Sequence, residues 1–129
     1  MPNVLLIIFG PRTHIQIDAV VDTGSHFTIL SYKDAELLQI PFKHKEPITR
    51  VQGISKERVN ICECDKPLKF LLKKEDGTLF KVAMDYAYIS QEREGANITI
   101  IGTDFIKANN LKLIYDPNKE AYLELPQNM

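Results

Sequence analysis

Val20-Val21-Asp22-Thr23-Gly24-Ser25 ends an apolar, β-branched run on a carboxylate, two small hydroxyl residues and a glycine. Such a pattern stops a strand at a tight turn, because glycine frees the backbone where polar residues leave the sheet. A carboxylate on that turn is presented outward, with its oxygens within reach of neighbouring N–H and hydroxyl donors. The hexapeptide occurs once in the 129 residues. One carboxylate cannot serve as both acid and base on the same water molecule. If the turn is a hydrolytic site, its second carboxylate must come from a second copy of the chain.

A chain of 129 residues fits one domain, expected over residues 1–129, that buries roughly two thirds of its unfolded surface without a disulfide or metal staple. Hydrophobic residues at 44% and charged residues at 26% exclude a disordered composition. The net charge of −1, with Lys and Glu scattered, offers no basic stripe, so no nucleic-acid partner is expected. The opening run Val4-Leu5-Leu6-Ile7-Ile8-Phe9 is too short to span a bilayer and lacks a charged flank and a cleavage site. It reads as a strand, and no membrane partner is expected. Cys62 and Cys64, two apart on a strand, point to one face and cannot bridge without strain. With no further cysteine and no nearby histidine they make no zinc site, so two unbridged thiols in a reducing cytoplasm are expected. No cofactor and no metal are implied, and no Gly-rich phosphate loop occurs.

Along the chain, Asn3–Phe9 and Thr13–Val21 read as strands around Gly10-Pro11. Phe27–Leu30 is a short strand. Ser31 then caps a helix to about Gln39, with Leu37 and Leu38 facing inward and Pro41 closing it. Val51–Val59 forms a hairpin holding Gly53. Leu68–Leu72 and Leu79–Met84 are joined across Glu75-Asp76-Gly77, and Tyr86–Ile89 continues the second of them. Asn97–Ile101 is a strand ending at Gly102. Thr103 caps a short helix from Asp104 to about Ala108, stopped by a left-handed Asn109 or Asn110. Leu111–Tyr115 and Ala121–Leu125 flank Asp116-Pro117-Asn118-Lys119 as a last hairpin. The expectation is a mainly β domain with one or two short helices.

The block Ala19-Val20-Val21-Asp22-Thr23-Gly24-Ser25, followed by Phe27-Thr28-Ile29-Leu30, resembles the active-site loop of aspartic peptidases. Ile98-Thr99-Ile100-Ile101-Gly102-Thr103-Asp104-Phe105-Ile106 is similar to the second signature of that family, an apolar pair and Gly leading into a helix. Their order and separation resemble the single-lobed, retroviral-type (retropepsin-like) branch, and the extension through Leu125 is closer to its cellular and bacterial members. The resemblance runs from Asn3 to Leu125. It implies a retropepsin-like closed β-barrel, the acid-protease fold, with one lobe per chain. It also implies a homodimeric endopeptidase acting on peptide or unfolded protein substrates.

By that resemblance the catalytic loop is Asp22, Thr23, Gly24 and Ser25. Asp22 would meet its twin across a two-fold axis, Thr23 would interlock the two loops, and the Ser25 hydroxyl would donate to Asp22. Val51, Gln52, Gly53, Ile54 and Ser55 would form a flap over substrate, preferred by position over the hairpin at Glu75-Asp76-Gly77 despite that hairpin's better turn sequence. Ile101, with Val21 and Ile54, would line apolar substrate pockets. Viral members carry an acid after the loop, paired to an arginine after the second glycine. His26 and Thr103 stand there instead, so loop support and dimer strength must come from other elements, the C-terminal strands among them. Two other readings stand beside this one: Asp22 is a plain turn residue, or the domain is a catalytically silent dimerisation or peptide-binding module. Asp104 reads as a helix N-terminal acid favoured by the dipole, not as a second catalytic group. His14, His26 and His44 are scattered singly, and Ser25 and Ser31 lack a nucleophile-elbow setting, which excludes a serine hydrolase.

Overall fold

Alternating large apolar residues in the first twenty positions build the central hairpin of a computed structural model. That structure describes residues 3–52, 58–64, 68–73, 77–84, 87–93, 97–114 and 122–124. In chain order its strands are β1 (Asn3–Phe9), β2 (His14–Val21), β3 (Ile29–Leu30), β4 (Thr49–Gln52), β5 (Arg58–Glu63) and β6 (Leu68–Lys73). They continue with β7 (Leu79–Met84), β8 (Tyr88–Ser90), β9 (Ile100–Ile101), β10 (Lys112–Ile114) and β11 (Tyr122–Glu124). Helix α1 (Tyr32–Leu37) follows β3, and α2 (Thr103–Ala108) follows β9.

Val4, Leu6 and Ile8 point inward from β1, which pairs antiparallel with β2 from Asn3↔Val20 to Phe9↔His14. Nine strands form one sheet in the order β4-β5-β8-β3-β9-β2-β1-β6-β7. Strand β9 lies between β2 and β3, parallel to the first and antiparallel to the second. Hairpin β10–β11 stands as a separate pair, in register from Lys112↔Glu124 to Ile114↔Tyr122. This is the mainly β architecture with two short helices that the sequence pattern implies.

Ser31 caps α1 as expected, its Oγ accepting from the Asp34 N–H at 3.1 Å. Only one of the two leucines faces the core. Leu38 is fully buried, whereas Leu37 is 51% exposed. Adjacent helical positions differ by about 100°, and a helix of six residues lying on a sheet cannot turn both inward. Gln39 leaves the helix at φ 59°, ahead of Pro41.

Tyr88–Ser90 does not prolong β7. Strand β7 sits at one end of the sheet, while β8 is inserted between β5 and β3 near the other. Periodicity reports which residues alternate, not which neighbour the strand takes. Strand β9 covers two residues where five were expected, and β3 two where four were expected. Asp76, Asp116, Pro117, Asn118 and Lys119 lie outside the described residues; Gly77, at φ 88°, takes the left-handed conformation a tight turn requires.

The core is one cluster under the sheet. Phe70 of β6 and Phe105 of α2 meet edge to face at 5.5 Å, both fully buried, and bind α2 to the far half of the sheet. Cys62 and Cys64 are buried within the same cluster and are not disulfide-bonded. No helix among the described residues is long and apolar enough to cross a membrane. Replacing Phe105 by alanine is expected to cost about 3–5 kcal/mol in urea unfolding. A loss under about 1 kcal/mol would contradict the placement of α2 on this core.

Candidate active site

Asp22 stands at the first residue beyond β2, where the ladder still holds it. Its N–H donates to the Ile101 carbonyl at 3.0 Å, and two residues back the Val20 N–H donates to the Thr99 carbonyl at 3.0 Å. The chain then turns at once. The Ser25 N–H donates to the Asp22 carbonyl at 3.0 Å, and the Gly24 N–H donates to Asp22 Oδ1 at 2.9 Å. The carboxylate is thereby oriented by the turn it belongs to. A Cβ at Gly24 would lie 3.2 Å from that same oxygen, so a side chain there crowds the group being presented. Asp22 is partly buried, while Thr23 and Gly24 beside it are exposed.

Ser25 does not serve Asp22. Its hydroxyl donates to the Phe27 carbonyl at 2.8 Å and accepts weakly from the Phe27 N–H at 3.4 Å. The reversal after Gly24 aims the serine along the outgoing chain, away from the carboxylate. Ile101 and Val21, expected on pocket walls, are core residues at 0% and 1% exposure. They are register partners on neighbouring strands β2 and β9, and both side chains belong to the core cluster.

Support for the loop comes from residues whose role the sequence pattern did not disclose. Thr28 is fully buried, and its hydroxyl donates to Asp104 Oδ1 at 2.7 Å while accepting from the Gly102 N–H at 3.1 Å. Asp104 Oδ2 also accepts from the Thr28 N–H at 3.0 Å, and Oδ1 from the Phe105 N–H at 2.7 Å. A carboxylate accepting several such bonds is a strong, directional anchor. Asp104 is therefore more than a helix-dipole acid, since it ties the start of α2 to the strand leaving the Asp22 turn. The signal was present in Thr28, a hydroxyl inside an apolar run, which when buried demands a partner.

Thr103 does not cap α2. Gly102 is the N-cap without a side-chain bond, and the Thr103 N–H donates to the Ser25 carbonyl at 2.9 Å. The helix start and the Asp22 loop thus satisfy each other. The two segments come so close that a Cβ on Gly102 would fall 2.5 Å from the Phe27 oxygen and 2.8 Å from its nitrogen. His26 is exposed, and the described side-chain bonds between this loop and α2 run from Thr28 to Asp104.

Of the expected flap, Val51 and Gln52 end β4, paired with Val59 and Arg58 of β5 as the arms of a hairpin. Gly53, Ile54 and Ser55 lie outside the described residues. No group of three or more His, Cys, Asp or Glu gathers as a metal site among the described residues.

Comparison with family profiles and with characterised sequences finds no match. Solved structures do match. The chain is similar to EIAV protease, with 19% identity over 88% of this chain and 92% of that one, at a TM-score of 0.52. It is also similar to a retropepsin-like aspartic protease from Rickettsia conorii, with 15% identity over 94% of this chain and 88% of the other, at a TM-score of 0.56. The fold is retropepsin-like. In that fold the Asp22 turn and the Gly102 helix start are the two segments that meet at β9.

Gly102→Ala is expected to destabilise the domain by about 3 kcal/mol or to prevent folding, since backbone rather than a pliable side chain blocks the added methyl. Urea unfolding measures this. A stable, unchanged Gly102→Ala protein would contradict the close approach.

Proposed function

We propose that the chain is a homodimeric aspartic endopeptidase hydrolysing peptide bonds through a water activated by two symmetry-related copies of Asp22. The observation that carries this reading is the Asp22 turn itself. Its carboxylate is fixed by the Gly24 N–H at 2.9 Å and its backbone by Ile101, and exposed Thr23 and Gly24 leave room beside it for another chain. The retropepsin-like fold supports the same reading.

Two carboxyls about 3 Å apart share one proton, because ionising both in one site sets like charges against each other. The ionised member takes a proton from the bridging water as its oxygen attacks the peptide carbonyl carbon. The protonated member donates to the carbonyl oxygen. Collapse of the resulting diol breaks the C–N bond as the protonated carboxyl gives its proton to the amine nitrogen and the ionised one takes a proton from a diol hydroxyl, which returns the dyad to its shared-proton state.

The substrate in this reading is an extended peptide or an unfolded protein, held by main-chain bonds between the active-site floor and the hairpin of β4 and β5. Hairpin β10–β11 is paired only with itself among the described strands. It is the element proposed to strengthen the dimer where the viral ion pair is missing.

The test is cleavage of a denatured protein from about pH 3 to 7, with molecular mass in solution measured in parallel. Asp22→Asn is expected to lower cleavage at least about a thousandfold and to leave the dimer mass unchanged. Retained cleavage in Asp22→Asn would contradict the assignment, and a strictly monomeric protein that still cleaves would contradict the shared site.

A further inference from the structure

Strand β9 is gripped at its other end by a second carboxylate, this one buried. Asp34, on the first turn of α1 and 9% exposed, accepts from the Thr99 hydroxyl at 2.6 Å. Thr99 is 1% exposed, and its Oγ1 in turn accepts from the Ser31 N–H at 3.0 Å. Ser31 Oγ closes the ring by accepting from the Asp34 N–H at 3.1 Å. Thr99 immediately precedes β9, and its carbonyl accepts from the Val20 N–H, two residues before Asp22. Three elements distant in sequence therefore converge on one threonine.

We propose that Asp34 is a positioning residue of the candidate active site, fixing through Thr99 how far β9 sits along β2 and so where Asp22 is held. The argument is one of register. A two-residue strand contributes too few ladder bonds to define its own axial position, and a slip along β2 would carry the Ile101 carbonyl away from the Asp22 N–H. Thr28 and Asp104 hold the strand where it enters α2. Asp34 holds it where it begins. A helix cap alone would need Ser31 and the Asp34 N–H; it would not need a charged oxygen on Thr99. The role in catalysis rests on the peptidase reading above, whereas the positioning itself does not.

Amide hydrogen exchange of the full chain, followed residue by residue, tests it. Thr99→Val, which keeps shape and removes the hydroxyl, is expected to speed exchange at Val20 and Asp22 about tenfold more than along the β1–β6 ladder. Thr99→Ser restores the wild-type pattern. Leu38→Ala, a core truncation in the same region that leaves Thr99 untouched, speeds exchange evenly. If Thr99→Val does not fold, Asp34→Asn, which exchanges a charged acceptor for a neutral one, gives the same local pattern at about threefold. Val20 and Asp22 changing only in proportion to the ladder in these variants would overturn the proposal. In the cleavage assay the same Thr99→Val substitution lowers kcat about tenfold or more with KM unchanged, and Thr99→Ser recovers it. Absence of cleavage by the wild-type protein, together with the local exchange pattern in Thr99→Val, would sink the peptidase reading and leave the positioning role standing. Normal kcat despite loosened Val20 and Asp22 would overturn the catalytic consequence alone.

Discussion

The placement of Asp22 depends on a strand too short to hold itself. Ile100 and Ile101 lie between β2 and β3, and the carbonyls of Thr99 and Ile101 accept the N–H groups of Val20 and Asp22. Everything that steadies this strand steadies the carboxylate turn. Gly102 lets it pass against the Phe27 backbone, Thr28 and Asp104 bond across that crossing, and the Thr103 N–H reaches the Ser25 carbonyl. Preorganisation of this kind matters because a catalytic group displaced by about 1 Å can lose two orders of magnitude in rate.

Local signals in the sequence reach most of this arrangement. The Val-Val-Asp-Thr-Gly-Ser block identifies the turn, Ser31 identifies a cap, and the Ile-Ile-Gly run identifies the segment leading into a helix. What the pattern does not disclose depends on partners far along the chain. Thr28 meets Asp104 across 76 positions and Thr99 meets Asp34 across 65, so neither pair leaves a periodic trace. The same holds for β8, whose alternation shows a strand but not its insertion between β5 and β3. Ser25 shows the converse failure. A hydroxyl three residues from a carboxylate invites a bond between them, yet the turn geometry directs it to Phe27.

His26 and Thr103 take the places of a charged pair in the viral pattern, and the described contacts show how the loop is supported without it. A buried neutral hydroxyl bonded to a carboxylate joins loop and helix. Such a bond is directional and works through backbone amides as well, because Asp104 also accepts from the Thr28 and Phe105 N–H groups. It braces each chain internally. Bracing within a chain leaves cohesion between chains to other surfaces, which is why the self-paired β10–β11 hairpin carries weight in the proposed dimer.

The central claim is that two chains each lend one Asp22 to a single site. Mixing wild-type protein with the Asp22→Asn variant, allowing subunits to exchange and measuring cleavage at constant total protein tests it directly. Random pairing predicts that activity follows the square of the wild-type fraction, about a quarter at equal mixing. Activity in simple proportion, about half at equal mixing, would show that one chain suffices and would contradict the account.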